Sequence, residues 1–347
     1  MTSFTQIRNA IPKGTKATST SRALLLFAAS WLAYGTCFYF AATDHFSFWS
    51  RLPASLLEGV FIGSLFVIGH DACHLAFVGS SFLSRVLGRL AFLPQYQPFT
   101  SWVYSHNMLH HSFTNVRGLD PTYPPFTFEE FSNLPPWRRL LERLYRSRLG
   151  IGLYGFVEIY WKQEIFPPRS MINRFNTPNQ FQIDRILVGL FTGLQLCLIV
   201  VLSRNRFEGV CWAVLLPYAI WIYLFSMVTV LHHTNPRVPW FQGKDQWNAK
   251  AGLVNCSVHL EFPRVLELIF MEVLDHTAHH VDPRIPLYHL REAQEALQEL
   301  FPGEIIVQHL TWRTFGGIIS KCKLYNYSNH QWLDFDGVPT SDPIPLS

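Results

Sequence analysis

Charge is what this chain has least of. Asp, Glu, Lys and Arg make up 15% of its 347 residues and leave a formal net charge of +4, against roughly 25% charged residues in an ordinary soluble domain. No basic run is interleaved with aromatics, so nothing reads as a nucleic-acid surface. The six cysteines (Cys37, Cys73, Cys197, Cys211, Cys256 and Cys322) never occur as C-x-x-C. Their spacing excludes a zinc ribbon or a thioredoxin-type pair and leaves them as packing residues, although Cys73 lies inside a metal-type cluster. A flavin fingerprint, a His-Pro-Gly-Gly haem segment and a cysteine cluster are missing too. Any electrons must therefore arrive from a separate protein. Without repeats or low-complexity stretches, the chain reads as a single domain over residues 1–347.

Apolar residues fill the space that charge leaves. The chain is 49% hydrophobic and 15% aromatic. Residues 23–43 run 21 without a charge, residues 186–203 run 18 and residues 209–236 run 28. A fourth apolar stretch, 56–77, holds Glu58 and Asp71. Crossing the hydrocarbon takes about 20 apolar residues, so the expected fold is all-α and integral to the membrane, with four transmembrane helices. Polar residues 1–22 form an N-terminal tail and 311–347 a C-terminal one; the first apolar segment reads as a retained span, not a cleaved signal.

The links at 44–53 and 204–208 are short, so the helices pair into two hairpins. Both long segments, 80–184 and the part after the fourth span, then lie on one side as a helical cap. Arg85, Arg89, Arg138, Arg139, Arg143, Arg146 and Arg148 mark that side as cytoplasmic, outnumbering Arg204 and Arg206 opposite. The membrane is then a bacterial inner membrane or the endoplasmic reticulum. Aromatic stretches 90–104 and 151–161 are too short to span and read as interfacial segments or as core helices of the cap. Asn115, Asp120 and residues 121–136 read as loop, and 291–300 as a surface helix.

Three histidine clusters dominate the rest: His70-Asp-Ala-Cys-His74, His106-Asn-Met-Leu-His110-His111 and His276-Thr-Ala-His279-His280. Eight of fifteen histidines fall within these sixteen residues. On a helix, positions i, i+3 and i+4 share a face, so each cluster aims its imidazoles at a common point. Eight imidazoles are too many for one ion and call for a two-metal centre. The first cluster falls at the cytoplasmic end of its span, the second in the cytoplasmic segment just after it and the third in the cytoplasmic tail, so all eight histidines lie on one side. His232 and His233 end the fourth span at the same surface; His233 is the expected ninth ligand, His232 an interfacial neighbour and His259 a weaker candidate. His45, His289, His309 and His330 are isolated. Asp71 and Asp275 head the carboxylates expected to orient the ligands, ahead of Asp120, Glu272 and Asp282.

The three boxes and the four-span layout resemble the membrane fatty acyl desaturase and hydroxylase superfamily over roughly residues 20–310. His70-Asp-Ala-Cys-His74, Leu-His-His-Thr-Asn-Pro at 231–236 and His276-Thr-Ala-His279-His280-Val-Asp-Pro-Arg-Ile-Pro are most similar to the methyl-end (delta-12 and omega-3) acyl-lipid desaturases. The second box departs from that branch, with three residues instead of two between its first histidines. The resemblance implies a non-haem di-iron centre held by His70, His74, His106, His110, His111, His276, His279 and His280, with His233 ninth. It implies an oxidoreductase that uses O2 to place a double bond in an acyl chain carried by a phospholipid, coenzyme A or acyl carrier protein. A ferredoxin- or cytochrome-type donor with its reductase would supply electrons. Rival readings are a hydroxylase, epoxygenase, acetylenase or carotenoid oxygenase of the same superfamily, and a metal or haem carrier. A carrier would place its ligands near mid-membrane.

Overall fold

The computed structural model describes residues 4–346 except Ala10, Asn176 and Ala249. Two long helices come first, α1 (Thr20–Ala42) and α2 (Phe48–Cys73). Amphipathic α3 (Ser81–Ala91) follows. Helix α4 begins as an ordinary turn, Phe99–Trp102, and continues with π winding through Val103–His110. Helix α5 does the same, Ile151–Tyr154 running into π turns at Gly155–Ile165. Helices α6 (Pro178–Leu202) and α7 (Arg206–His233) are again long and apolar. Short α8 (His276–Val281), α9 (Leu290–Leu300) and α10 (Trp312–Lys321) end the helical part.

Helices α1, α2, α6 and α7 are long and apolar enough to cross a membrane. Helices α2 and α6 each begin eight residues before the stretches at 56 and 186 expected from charge. The early charges are tolerated because they are paired. Arg51 donates to Ala41 O at 2.9 Å and to Glu208 Oε1 at 2.6 Å. Asp184 accepts from Arg89 Nε at 2.7 Å and from Thr100 N and Oγ1 at 2.7 and 2.6 Å. The Arg51–Glu208 pair also ties the two short links together, and Asp44 reinforces it by accepting from Ser203 Oγ and Arg204 N.

Helix α2 lies at the centre, with 56% of its most apolar window buried; α6 has 11% and presents Leu190, Leu194 and Val201 outward. Gly59 lets α2 meet α7 closely, since a Cβ there would stand 2.7 Å from Pro217 O. One helical turn below His70, Phe66 stacks on Phe92 at 5.5 Å and meets Trp102 and Phe225 edge-on. Phe92, Phe99 and Trp102 are buried, so the 90–104 stretch is core apart from exposed Leu90 at its start. The 151–161 stretch is two-faced: Tyr160 is buried, whereas Leu153 and Trp161 are exposed.

Four expectations need correction. The chain is mostly helical but not all-α: β1 (Val258–Glu261) pairs in parallel with β2 (Ile306–His309), and β3 (Leu324–Asn326) forms an antiparallel pair with β4 (Gln331–Leu333). Strands of three or four residues are too short to leave an alternation in sequence. Residues 121–136 are not all loop, because a Thr127–Glu130 capping box starts a helix at Phe128–Asn133. The N-terminal segment is a strap, not a free tail: Arg8 donates to Val281 O at 2.9 Å and Lys16 pairs with buried Asp282 at 2.7 Å. The C-terminal segment folds back as well, Tyr325 Oη accepting from Trp240 N and Trp332 Nε1 donating to Val238 O.

Replacing Gly59 by valine should push α2 from α7 and cost about 1–3 kcal/mol. A thermal melt of the detergent-solubilised protein checks this; an unchanged midpoint would show that the crossing relaxes freely.

Candidate metal centre

Nine imidazoles converge into two groups. His70, His74, His106, His111 and His279 form the first; His110, His233, His276 and His280 form the second, with ligand atoms within 4.8 Å of one another in each. These are the nine histidines that sequence reasoning singled out. Cys73, His232 and His259 stand outside both groups.

Local winding decides which imidazole goes where. In box three, α8 is an ordinary helix, so His276 and His280, four apart, share one group while His279 turns to the other. In box two the π winding of α4 brings residues five apart onto one face: His111 N donates to His106 O at 2.9 Å, and the two rings enter the same group. His110 is thereby released to the second group. Box one closes α2, with His70 in its last turn and His74 at its C-cap. Asn107 fastens this end to box two, donating to Cys73 O at 2.9 Å and accepting from Cys73 Sγ at 3.3 Å. Non-glycine residues with left-handed backbone flank every box: Leu75, Asn115, Met271 and Glu272. Such strain gathers at functional sites.

The donor set fits cations. His111 Nε2 lies 3.0 Å from both His106 Nε2 and His279 Nε2, and His276 Nε2 lies 3.0 and 3.1 Å from His233 Nε2 and His280 Nε2. A neutral ring nitrogen has one in-plane lone pair or one N–H, so it cannot hydrogen-bond two such partners. A shared cation satisfies them all: ligands at about 2.1 Å, the usual imidazole–metal distance, stand roughly 3 Å apart when at right angles. Buried His74 Nε2 likewise has no hydrogen-bond partner. Burial, reinforced by neighbouring imidazoles, holds His74, His106, His111, His276, His279 and His280 well below the ordinary 6.5, so their lone pairs stay free.

The second ring nitrogens explain the aim. His110 Nδ1 meets Asp120 Oδ1 at 3.1 Å, His233 Nδ1 meets Cys256 O at 2.9 Å and His280 Nδ1 meets Thr114 Oγ1 at 3.4 Å. Asp120 is itself held by the N–H groups of Asn115 and Thr122 and by the Thr122 hydroxyl. Burial raises its carboxyl, but His110 and these donors outweigh that and leave it below the usual range.

Asp71 and Asp275, the favoured partners from sequence, do not hydrogen-bond a box histidine. Asp71 accepts from the Leu287 backbone, and Asp275 pairs with His259 Nδ1 at 3.1 Å. Asp282 and Glu272 pair with Lys16 and Arg264. Nearness in sequence misled here, because a residue next to a histidine on a helix points away from it. His232 is not interfacial: it is buried and stacks on His276 at 3.8 Å. Of the isolated histidines, His45 is exposed, His289 faces Glu292 at 3.8 Å, His309 is exposed near Glu261, and His330 binds Trp240 O.

An apolar cleft opens beside both groups, and two helix faces build it. On α2 it is lined by Gly63, Phe66, Val67 and then His70; on α7 by Trp221, Leu224, Phe225, Val228, Thr229 and then His232. Both sets follow i, i+3, i+4, i+7 spacing, so one face of each helix passes from apolar side chains to an imidazole over about 10–16 Å. Helix α5 closes the side with Ile159, Gln163 and Glu164.

The fatty acid desaturase family model matches residues 46–312. This chain belongs to the fatty acid desaturase family. Among its relatives, a chloroplastic omega-6 fatty acid desaturase of Arabidopsis thaliana is 30% identical over 86% of this chain. An sn-1 oleoyl-lipid 12-desaturase of Picosynechococcus sp. is 27% identical over 82%, and an sn-1 acyl-lipid omega-3 desaturase (ferredoxin) of Nostoc sp. is 27% identical over 84%. The matches span 64% of the Arabidopsis protein's length and 79% of each cyanobacterial one. Glu164, three residues past the aromatic stretch 151–161, and the π winding of α4 lay beyond sequence reasoning.

Asp120→Ala should lower metal affinity about 10–100-fold, the usual cost of removing the group that orients a ligand histidine. Iron retained after dialysis against a chelator, measured per mole of purified protein, tests this; retention equal to the unsubstituted protein would make Asp120 a loop anchor only.

Proposed function

We propose that this chain is an oxygen-dependent acyl-lipid desaturase of the methyl-end type. The observation that carries the reading is an apolar cleft ending at two imidazole groups that fit two cations. His70, His74, His106, His111 and His279 would hold one iron, and His110, His233, His276 and His280 the other. Two such irons would activate dioxygen for the removal of two hydrogens from neighbouring methylenes.

The chain's own residues bind and orient. Phe66, Val67, Leu224, Phe225 and Val228 supply apolar walls that an acyl chain can fill without stranding a polar group, and they keep water from the reacting carbons. On α2 the wall runs along one face to the ligand His70, and on α7 Phe225 and Thr229 run on at four-residue spacing to the ligand His233, which fixes the distance between a bound methylene and the imidazoles. Asp120, Cys256 O and Thr114 hold three ring tautomers with Nε2 turned inward.

The paired links at Arg51–Glu208 and Asp44–Ser203 support two hairpins with both short turns at one end, and the single domain then spans residues 1–347. In this reading the protein crosses a bacterial inner membrane or the endoplasmic reticulum four times and carries its centre in a cytoplasmic cap. The relatives' names support an acyl-lipid substrate and a separate one-electron donor of ferredoxin type. Ligands gathered at one end of the spans speak against a carrier.

Expression in a host rich in monounsaturated lipid, beside the His280→Ala variant, should yield a new unsaturated acid that the variant does not make. Gas chromatography–mass spectrometry with derivatives that locate double bonds reads the outcome. A hydroxy or epoxy acid instead would move the chain to the oxygenases of its superfamily. No new acid from iron-loaded protein supplied with a donor would overturn the reading.

A further inference from the structure

Glu164 is an acid in the wrong place for packing. It is 1% exposed, lines the apolar cleft together with His106 and His110, and comes from the π-wound part of α5. Its Oε1 accepts from Ser105 Oγ at 2.5 Å, one residue before His106, while its Oε2 is buried without a hydrogen-bond partner. Its polar neighbours are neutral: Ser105, Ser101 and Gln97, the last also receiving the Tyr160 hydroxyl. Among the described residues it forms no ion pair. An ionised carboxylate so placed would bear a desolvation cost that its neutral neighbours offset only in part.

The neutral acid suits the site atom by atom. Its carbonyl oxygen takes the Ser105 hydroxyl, and its hydroxyl oxygen keeps a proton free to be given into the cleft. The titratable groups around it are Cys73 from α2, Tyr160 on its own helix, and the cleft imidazoles His70, His106, His110, His232, His233 and His276. Burial pushes Glu164 up to about 7, against the opposing pull of Ser105, Gln97 and Ser101. It can thus release and regain a proton near neutral pH.

The proposed reaction needs such a group. Desaturation balances as R–CH2–CH2–R′ + O2 + 2e⁻ + 2H⁺ → R–CH=CH–R′ + 2H2O. The substrate gives up two hydrogens and the one-electron donor two electrons, so two protons must reach a cleft from which water is excluded. Resting on the desaturase reading, we propose that Glu164 is the proton-holding group of the cleft, supplying protons consumed as dioxygen becomes water and being recharged between turnovers.

The test uses the full-length enzyme and Glu164→Gln, which keeps the size and the bond to Ser105. Iron-stripped wild-type protein at neutral pH should show the infrared carbonyl band of a protonated carboxyl that Glu164→Gln lacks. The iron-loaded variant should bind as much iron as wild type yet make about 100-fold less unsaturated product, with donor oxidation continuing and peroxide released. Should Glu164→Gln fail to fold, Ser105→Ala should shift the same band. Two results would overturn the proposal: no difference band at neutral pH in either variant, or full product per O2 with the band gone. A wild-type enzyme making no unsaturated product would instead sink the desaturase reading, and the infrared result would stand apart from it.

Discussion

The whole structure turns on a hydrogen-bonding problem that protein atoms alone do not solve. His111 and His276 each place one Nε2 against two others at 3.0–3.1 Å, in an interior where their rings stay neutral. Lone pairs crowded this way repel unless a cation sits between them. The fold holds them there by force of arrangement: a π-wound α4, a helix end at His74, an Asp120 fixed by backbone N–H groups, and a strap whose Arg8 and Lys16 grip the residues after box three. Each device stabilises a crowded geometry that a cation in each group would relieve.

The same helices that carry the clustered imidazoles build the apolar cleft beside them. Because α2 and α7 carry apolar side chains below and imidazoles above on one face, a chain lying against Phe66 and Phe225 is aimed at the ligands. The Phe66, Phe92, Trp102 and Phe225 cluster makes that wall rigid, since the rings meet edge-on and stacked. In the desaturase reading proposed above, that rigidity would decide which C–H bonds stand nearest the centre. Left-handed backbone at Leu75, Asn115, Met271 and Glu272 is part of the cost, at roughly 1–3 kcal/mol each.

Much of this was legible because helix periodicity is local. Four apolar runs announced four long helices, and the clustering of His70, His74, His106, His110, His111, His276, His279 and His280 announced that these imidazoles converge. The end of the fourth run pointed to His233. Span starts were less legible, because Arg51 and Asp184 read as boundaries until their partners, far away in sequence, cancel their charge.

Composition and spacing settle the inventory: apolar runs, three boxes, and their order along the chain. Which imidazole joins which group was decided only by the tertiary structure, since His110 and His111 are neighbours in sequence yet part company through π winding that no periodicity encodes. The partner of His110 was decided the same way, Asp120 reaching it across a turn while Asp71 and Asp275 look elsewhere. So was the position of Glu164, one more polar residue after Lys162 and Gln163 until α5 lays it along the cleft. The physical reason is common to all three. Composition and spacing act within a few residues, whereas burial, hydrogen-bond partners and the direction of a ring nitrogen are set by segments that meet only when the chain has folded.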